Sequence, residues 1–81
     1  MKLSNVRTVL TAAQENESHG NIFTTSGHAV SFDFYTYEGN ESGDIIGYNT
    51  DTEAVSILSA GCNSYIDCEH ITHIEVYPHK D

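Results

Sequence analysis

The alternation of apolar and polar positions predicts one helix at the start of the chain. In residues 4–14, Val6, Val9, Leu10 and Ala13 recur at the spacing of a single helical stripe. Ser4 is expected to cap the N-terminus, and Asn16 or Gly20 to stop the helix. A helix of this length is marginal alone. We therefore expect its stripe to pack as a lid on a sheet, in preference to binding a partner.

The rest of the pattern predicts strands. The clearest is AVSFDFYTY at residues 29–37, in which Val30, Phe32 and Phe34 fall on one face. Residues 15–28 read as a loop with a short extended piece, and residues 38–43 as a reversal. Short apolar runs separated by Gly, Asn, Asp and Thr predict four further strands, at residues 44–49, 54–59, 65–69 and 73–77.

Inward positions on these strands are predicted to be Val55, Ile57, Ile66, Ile74 and Val76, together with Cys68. Gly47 predicts a bulge or a sharp bend, and residues 70–72 a kink. Short strands with one apolar face must close on themselves or be covered. We predict an α+β, mostly β fold in a single domain (1–81). A helix at 4–14 precedes a five-stranded, strongly bent antiparallel sheet or small barrel at 29–77.

Charge is strongly one-sided in this chain of 81 residues, which has a formal net charge of −9. The cations are Lys2, Arg7 and Lys80, and eleven carboxylates lie between residues 8 and 79 without a lysine or arginine among them. Such a field repels nucleic acid and anionic membranes and attracts basic partners. Charge that only maintains solubility is the simpler alternative. Adaptation to high salt is less favoured, because isoleucine and asparagine are plentiful.

The ends of the chain and its cysteines indicate a compartment. The first residues contain no apolar core of signal-peptide length, and nowhere do 18 apolar residues run together. We therefore expect a cytoplasmic protein. Cys62 and Cys68 are expected to be free thiols there, in preference to a bridge between them across the predicted turn.

An aromatic and acidic surface is the candidate site. Carboxylates and tyrosines alternate with the inward residues along the predicted strands, so they are expected on outer faces. Tyrosine is enriched in binding hot spots, and carboxylates pair bidentately with arginine. Solvated strand tyrosines with no binding role are the alternative. The predicted partner-binding residues are Asp33, Tyr35, Tyr37, Tyr65, Asp67, Glu69, Glu75 and Tyr77.

No motif indicates a reaction, and no catalytic residue or cofactor is predicted. Cys68, Glu69, His70 and His73 have metal-ligand side chains, but alternation points Cys68 inward and His73 outward, so no metal site is predicted. Cys68 lacks the electropositive surroundings of a nucleophile. The glycines do not form a phosphate-binding loop. Asp51 and Glu53 lie in a predicted turn and are expected to be solvated.

The second half of the chain resembles the Sm-like small β-barrel proteins of the Hfq and Rof type. The similarity lies in GDIIGYNTDTEAVSIL, like the family's strand pair with a glycine at its bend, and in YIDCEHITHIEVYP, like its last two strands joined by a 3₁₀ kink. The family's RNA-binding members place a basic residue beside a histidine where this chain has Glu69 and His70. Its absence argues against RNA binding.

The acidic Rof-type members, which inhibit the Rho terminator, imply by resemblance an inhibitor of a nucleic-acid-binding protein. Charge and resemblance together predict an acidic interaction module of phage or mobile-element type. It would dock on the basic surface of a nucleic-acid-binding enzyme by mimicking nucleic acid. The alternative is an oligomeric Sm-like binder of a small ligand or RNA fragment, assembled through an edge strand.

Overall fold

The structure is a computed structural model that describes residues 1–79 and all their side chains except those of residues 36, 37 and 40–42. Over these residues the chain forms an α-helix, strands and one 3₁₀ turn. Their bounds are α1 (Leu3–Glu15), β1 (His19–Thr24), β2 (Ala29–Tyr37), β3 (Asn40–Gly43), β4 (Ile45–Asn49), β5 (Ala54–Ser59), β6 (Cys62–Asp67), η1 (Cys68–His70) and β7 (Ile71–Tyr77).

The strands lie in two antiparallel sheets, ordered β3-β2-β1-β7 and β4-β5-β6. The predicted α+β, mostly β class is confirmed. The prediction of five strands is wrong. Residues 1–79 contain six strands that are each at least five residues long, and β3 is a further, four-residue strand at the edge of its sheet. Within residues 1–79 no ladder joins the two sheets, so the predicted barrel is not closed. The chain leaves one sheet for the other at Gly43, whose φ of +96° breaks the extended path between β3 and β4.

Strand β1 was predicted only as a short extended piece within a loop at residues 15–28. It lies at the centre of the first sheet, paired with both β2 and β7. A β-carbon on Gly20 would overlap the Glu75 carbonyl oxygen and come within 2.8 Å of the Phe32 ring. The glycine that weakens the strand signal is therefore the residue that lets three strands pack closely here.

Helix α1 covers the core with one stripe, as predicted for a lid. Its buried residues are Leu3, Val6, Leu10 and Ala13, with Val9 only half-buried. Lys2 occupies the N-cap position, so the predicted cap at Ser4 is wrong. Ser4 lies within the first turn, where its carbonyl accepts a hydrogen bond from the Thr8 hydroxyl at 2.9 Å.

The core draws side chains from the helix and from both sheets. Its buried members are Leu3, Val6, Leu10, Ala13, Ile22, Phe32, Phe34, Val55, Ile57, Ile66, Cys68 and Ile71. The predicted inward positions Val55, Ile57, Ile66 and Cys68 are therefore correct. Ile74 is half-buried, but Val76, on edge strand β7, is 38% exposed, so its predicted burial is wrong.

Turn positions account for the remaining differences. Glu38 and Gly39 both have positive φ, as a two-residue hairpin turn requires, so only two residues of the predicted reversal at 38–43 form the turn. Ala60 and Gly61 repeat this geometry between β5 and β6. The 3₁₀ turn occupies residues 68–70, two residues before the predicted kink. Gly47 pairs regularly with Ser56, without the predicted bulge.

Gly20→Ala should lower the free energy of unfolding by about 3 kcal/mol, because the new methyl group must displace backbone or an aromatic ring in the core. Gly27→Ala is the matched control, since Gly27 has a φ of +87° and open space around it. Its expected cost is about 1 kcal/mol, from backbone strain alone. Urea denaturation compares the two, and equal losses would contradict the proposed close approach of strands.

Candidate interaction surface

Pairing between β2, β1 and β7 assembles one polar face. Side chains that pair directly across antiparallel strands share a face. The register pairs Asp33 with His19 and His19 with Tyr77, and it pairs Ser31 with Asn21 and Asn21 with Glu75. We call this surface, opposite the core, the outer face. Its described members are His19, Asn21, Phe23, Ala29, Ser31, Asp33, Tyr35, His73, Glu75 and Tyr77, and His79 extends it beyond the end of β7.

Carboxylates on the outer face are paired with histidines. The Nε2 of His79, which follows β7, donates to Oδ1 of Asp33 at 2.8 Å. The Nε2 of His73 lies 3.7 Å from Oε2 of Glu75. Both carboxylate side chains are about half exposed, at 51% for Asp33 and 42% for Glu75. These charges therefore remain available to solvent or to a partner.

Aromatic rings fill the spaces between these charged groups. Phe23 and His73 stack with ring centroids 4.3 Å apart. The His19 ring lies 5.8 Å from that of Tyr77 and 4.8 Å from that of His79. Stacked neighbours restrict the side-chain rotamers, so the face offers a partner a surface that is already ordered.

The Tyr77 hydroxyl is directed along its own strand. It donates to Oε1 of Glu75 at 2.7 Å. This hydrogen bond, more than the smaller effects of desolvation and of the Glu75 charge, raises the pKa of the Tyr77 hydroxyl. Tyr35 and Tyr77 are 45% and 44% exposed. Their rings are thus accessible from solvent at the two sides of the face.

A cleft of about 400 Å³ adjoins the outer face at the junction of β3 and β4. Asp33, Tyr35 and Asp44 contribute to its lining. Asp44 is tied to Asp33 by two hydrogen bonds. Its Oδ2 accepts from the Asp33 amide at 2.9 Å, and its own amide donates to the Asp33 carbonyl, also at 2.9 Å. A third carboxylate is therefore held beside the face.

The predicted site residues do not form a single surface. Asp33, Tyr35, Glu75 and Tyr77 lie together on the outer face. Tyr37 is the last residue of β2, the strand that carries Asp33 and Tyr35, but its side chain is outside the described part of the structure. The other three lie elsewhere, because β6 belongs to the second sheet and η1 follows it: Tyr65 and Asp67 are on β6 and Glu69 is on η1.

Asp67 and Glu69 share a cleft of about 470 Å³ with Lys2, Glu53 and the N-terminal residue. The amino group of Met1 donates to the carbonyls of Cys68 and Ile71 at 2.8 and 3.0 Å. Positive charge therefore lies beside these acids, so the expected lack of neighbouring cations is wrong here. On the outer face, by contrast, the described ion pairs of Asp33 and Glu75 involve histidine alone.

Asp67, Glu69 and His70 place potential ligand atoms within 4.8 Å of one another. All three side chains are exposed, and exposed acidic groups commonly occur together without a metal. His70 lies 3.6 Å from Glu69 and 3.4 Å from the Thr25 hydroxyl. The two other residues that could have joined such a site are separated, since Cys68 is buried and His73 is on the outer face.

The predicted site omitted the histidines of the outer face, His19, His73 and His79, although alternation along the strand placed His73 outward. Each histidine is two residues from another outer-face residue in the sequence. For His73, this spacing within β7 could have placed it on the same face as Glu75. The cross-strand contacts of His19 and His79 had no local signal. Two of these histidines contact carboxylates, His79 at Asp33 and His73 at Glu75, and the ring of His19 lies against that of His79.

Comparison of the chain with known protein families, with curated proteins and with solved structures finds no match. Among residues 1–79, no helix has the length and apolar character needed to cross a membrane.

The two cysteines should differ sharply in reactivity. Both are free thiols, Cys62 exposed and Cys68 buried. Burial raises the pKa of the Cys68 thiol, which lowers its thiolate fraction at neutral pH. We expect iodoacetamide to modify one thiol rapidly in the native protein and the second only in denaturant. Mass spectrometry of Cys62→Ser and Cys68→Ser variants assigns the two rates, and rapid labelling of the Cys62→Ser variant would contradict the burial of Cys68.

Proposed function

We propose that this protein is an acidic protein-interaction module whose outer face docks on a basic surface of another protein. The observation that carries the proposal is the grouping of Asp33 and Glu75 with the exposed rings of Tyr35 and Tyr77 on one sheet face. The described charged contacts of these two carboxylates are with histidine side chains, and none of them is with lysine or arginine. They are thus accessible to arginine and lysine side chains supplied from outside.

The chemistry of the face suits such a partner. A carboxylate accepts two parallel hydrogen bonds from an arginine side chain, and a tyrosine ring offers its negative face to the same cation. The two charges stand on different strands, held apart by the β1 strand between them. Their fixed spacing gives the contact a register, which diffuse surface charge does not provide.

A nucleic-acid-binding protein is the proposed class of partner. Such proteins carry clusters of lysine and arginine that contact phosphates. Carboxylates on a rigid face would occupy those positions and block nucleic acid, so the proposed role is that of an inhibitor of phage or mobile-element type. The net charge of −9 supports this role and disfavours direct binding to nucleic acid.

Strand order lends support to the resemblance to Sm-like barrels. The last strand lies beside the first, and a 3₁₀ turn joins the last two strands. We propose on this basis a distorted, open relative of that fold. The acidic inhibitors of the family then provide an analogy for function, while the open sheets distinguish this chain from a closed barrel.

The proposal is tested with two charge-matched double variants. Asp33→Asn with Glu75→Gln should weaken binding to a rhodamine-labelled oligoarginine peptide by about 10-fold at low salt, since each charge pair contributes about 1 kcal/mol or more. Glu15→Gln with Asp51→Asn removes the same charge from exposed positions elsewhere and should weaken binding by less than about 3-fold. Fluorescence anisotropy measures both.

Equal loss in the two double variants would mean that total charge, not the outer face, governs binding, and the proposal would fail. A second arm uses the immobilised protein to capture partners from its source cells at low salt. Elution at high salt, which screens exposed charges beyond about 3 Å at 1 M, should release a basic protein that the outer-face variant does not retain. That protein should also lose nucleic-acid binding when the wild-type chain is added.

A second function, an oligomeric binder of a small ligand or RNA fragment, is favoured by one observation. Strand β4 is an edge strand without a charged residue, and Ile45 on it is 64% exposed. Such an edge invites pairing with another copy. Light scattering separates the two functions. If the protein is a monomer, it has no site shared between subunits, and the second function fails. If it is an oligomer that the Ile45→Lys variant converts to monomer, the second function is supported.

A further inference from the structure

We infer that the outer face is a pH-dependent docking surface, which holds a basic partner near neutral pH and releases it as His73 and His79 take up protons. The inference rests on the proposed function, because it concerns the net charge of the outer face on which the basic partner docks. Histidine is the side chain that ordinarily changes charge between pH 5 and 8. The described charged contacts of both outer-face carboxylates, Asp33 and Glu75, are with histidine rings.

The geometry places each switching group beside the carboxylate it would neutralise. The Nε2 of His79 is 2.8 Å from Asp33, and that of His73 is 3.7 Å from Glu75. A neutral imidazole leaves the full carboxylate charge for a partner. A protonated one forms an ion pair within the molecule, so an incoming arginine must displace it.

The groups that face the two histidines come from three strands and include carboxylates, aromatic rings and a further histidine. On β1, the ring of His19 lies 4.8 Å from that of His79, and Phe23 stacks on His73. On β2 and at the β3–β4 junction the facing groups are Asp33 and Asp44. On β7 they are Glu75 and the Tyr77 hydroxyl that bonds to it. Tyrosine stays neutral in this pH range.

The count of charges predicts the size of the change. Near pH 7.5 the outer face carries the carboxylates of Asp33 and Glu75, Asp44 lies beside it, and its described residues include no lysine or arginine. Protonation of His73 and His79 would change the sum of these charges from −3 to −1. Carboxylates ordinarily remain ionised above about pH 5. The change of charge on which the inference depends therefore comes from the histidines and not from the carboxylates.

The probe for the test is the oligoarginine peptide, because arginine keeps its charge throughout this range. Anisotropy titrations at fixed low ionic strength should give at least about 10-fold weaker binding at pH 5.5 than at pH 7.5. In the His73→Gln/His79→Gln double variant this ratio should fall below about 3-fold. His28→Gln with His70→Gln, which removes two exposed histidines elsewhere, should retain the wild-type ratio.

Circular dichroism at both pH values checks that each variant is folded. The ratio of wild-type affinities at pH 7.5 and 5.5 is measured on the unmodified protein, so it does not depend on the folding of any variant. The inference is overturned if wild-type affinity is equal at the two pH values, or if both double variants lose the dependence equally. In those cases the Asp33→Asn/Glu75→Gln result at pH 7.5 still decides the proposed function. If the wild-type protein does not bind the peptide at pH 7.5, the proposed function fails, and the inference fails with it.

Discussion

The packing of α1 against both sheets unites the molecule, because no ladder within residues 1–79 connects β3-β2-β1-β7 with β4-β5-β6. Leu10 of the helix, Phe32 of the first sheet and Ile57 of the second are all buried in the same cluster. Each such side chain contributes about 1.5–3 kcal/mol through removal from water. Two backbone hydrogen bonds fix the places where the chain crosses between the sheets. The Asp44 amide donates to the Asp33 carbonyl between β3 and β4, and the Cys68 amide donates to the Glu53 carbonyl between β6 and β7.

Burial of one side of the first sheet also determines what the other side can be. With Ile22, Phe32 and Phe34 committed to the core, alternation sends their neighbours along the strands to the outer face. A slip of one residue would exchange the two sides, so the register that fills the core is the register that groups the carboxylates, tyrosines and histidines. The grouping of side chains on the outer face is therefore a consequence of the register that fills the interior.

Periodicity in the sequence was sufficient for α1, for β2 and for most core positions, because each depends on side chains close together in the chain. It failed for β1, where His19, Gly20 and Asn21 show no apolar alternation, and where Gly20 is required by neighbours on two other strands. The candidate site was predicted in part for the same reason. Alternation grouped Asp33 with Tyr35 and Glu75 with Tyr77, but no local signal reveals which strands adjoin. Assignment of β6 to the second sheet separated Tyr65 and Asp67 from the rest.

The two-residue turns at Glu38–Gly39 and Ala60–Gly61 have a consequence for the order in which the chain folds. Hairpins β2–β3 and β5–β6 close short loops and can form within microseconds. Pairing of β1 with β7 instead joins segments separated by most of the sequence, from His19 to Tyr77, and contacts of that kind form late. The outer face needs the pairing of β1 with β7, so we expect it to be completed after these hairpins have formed.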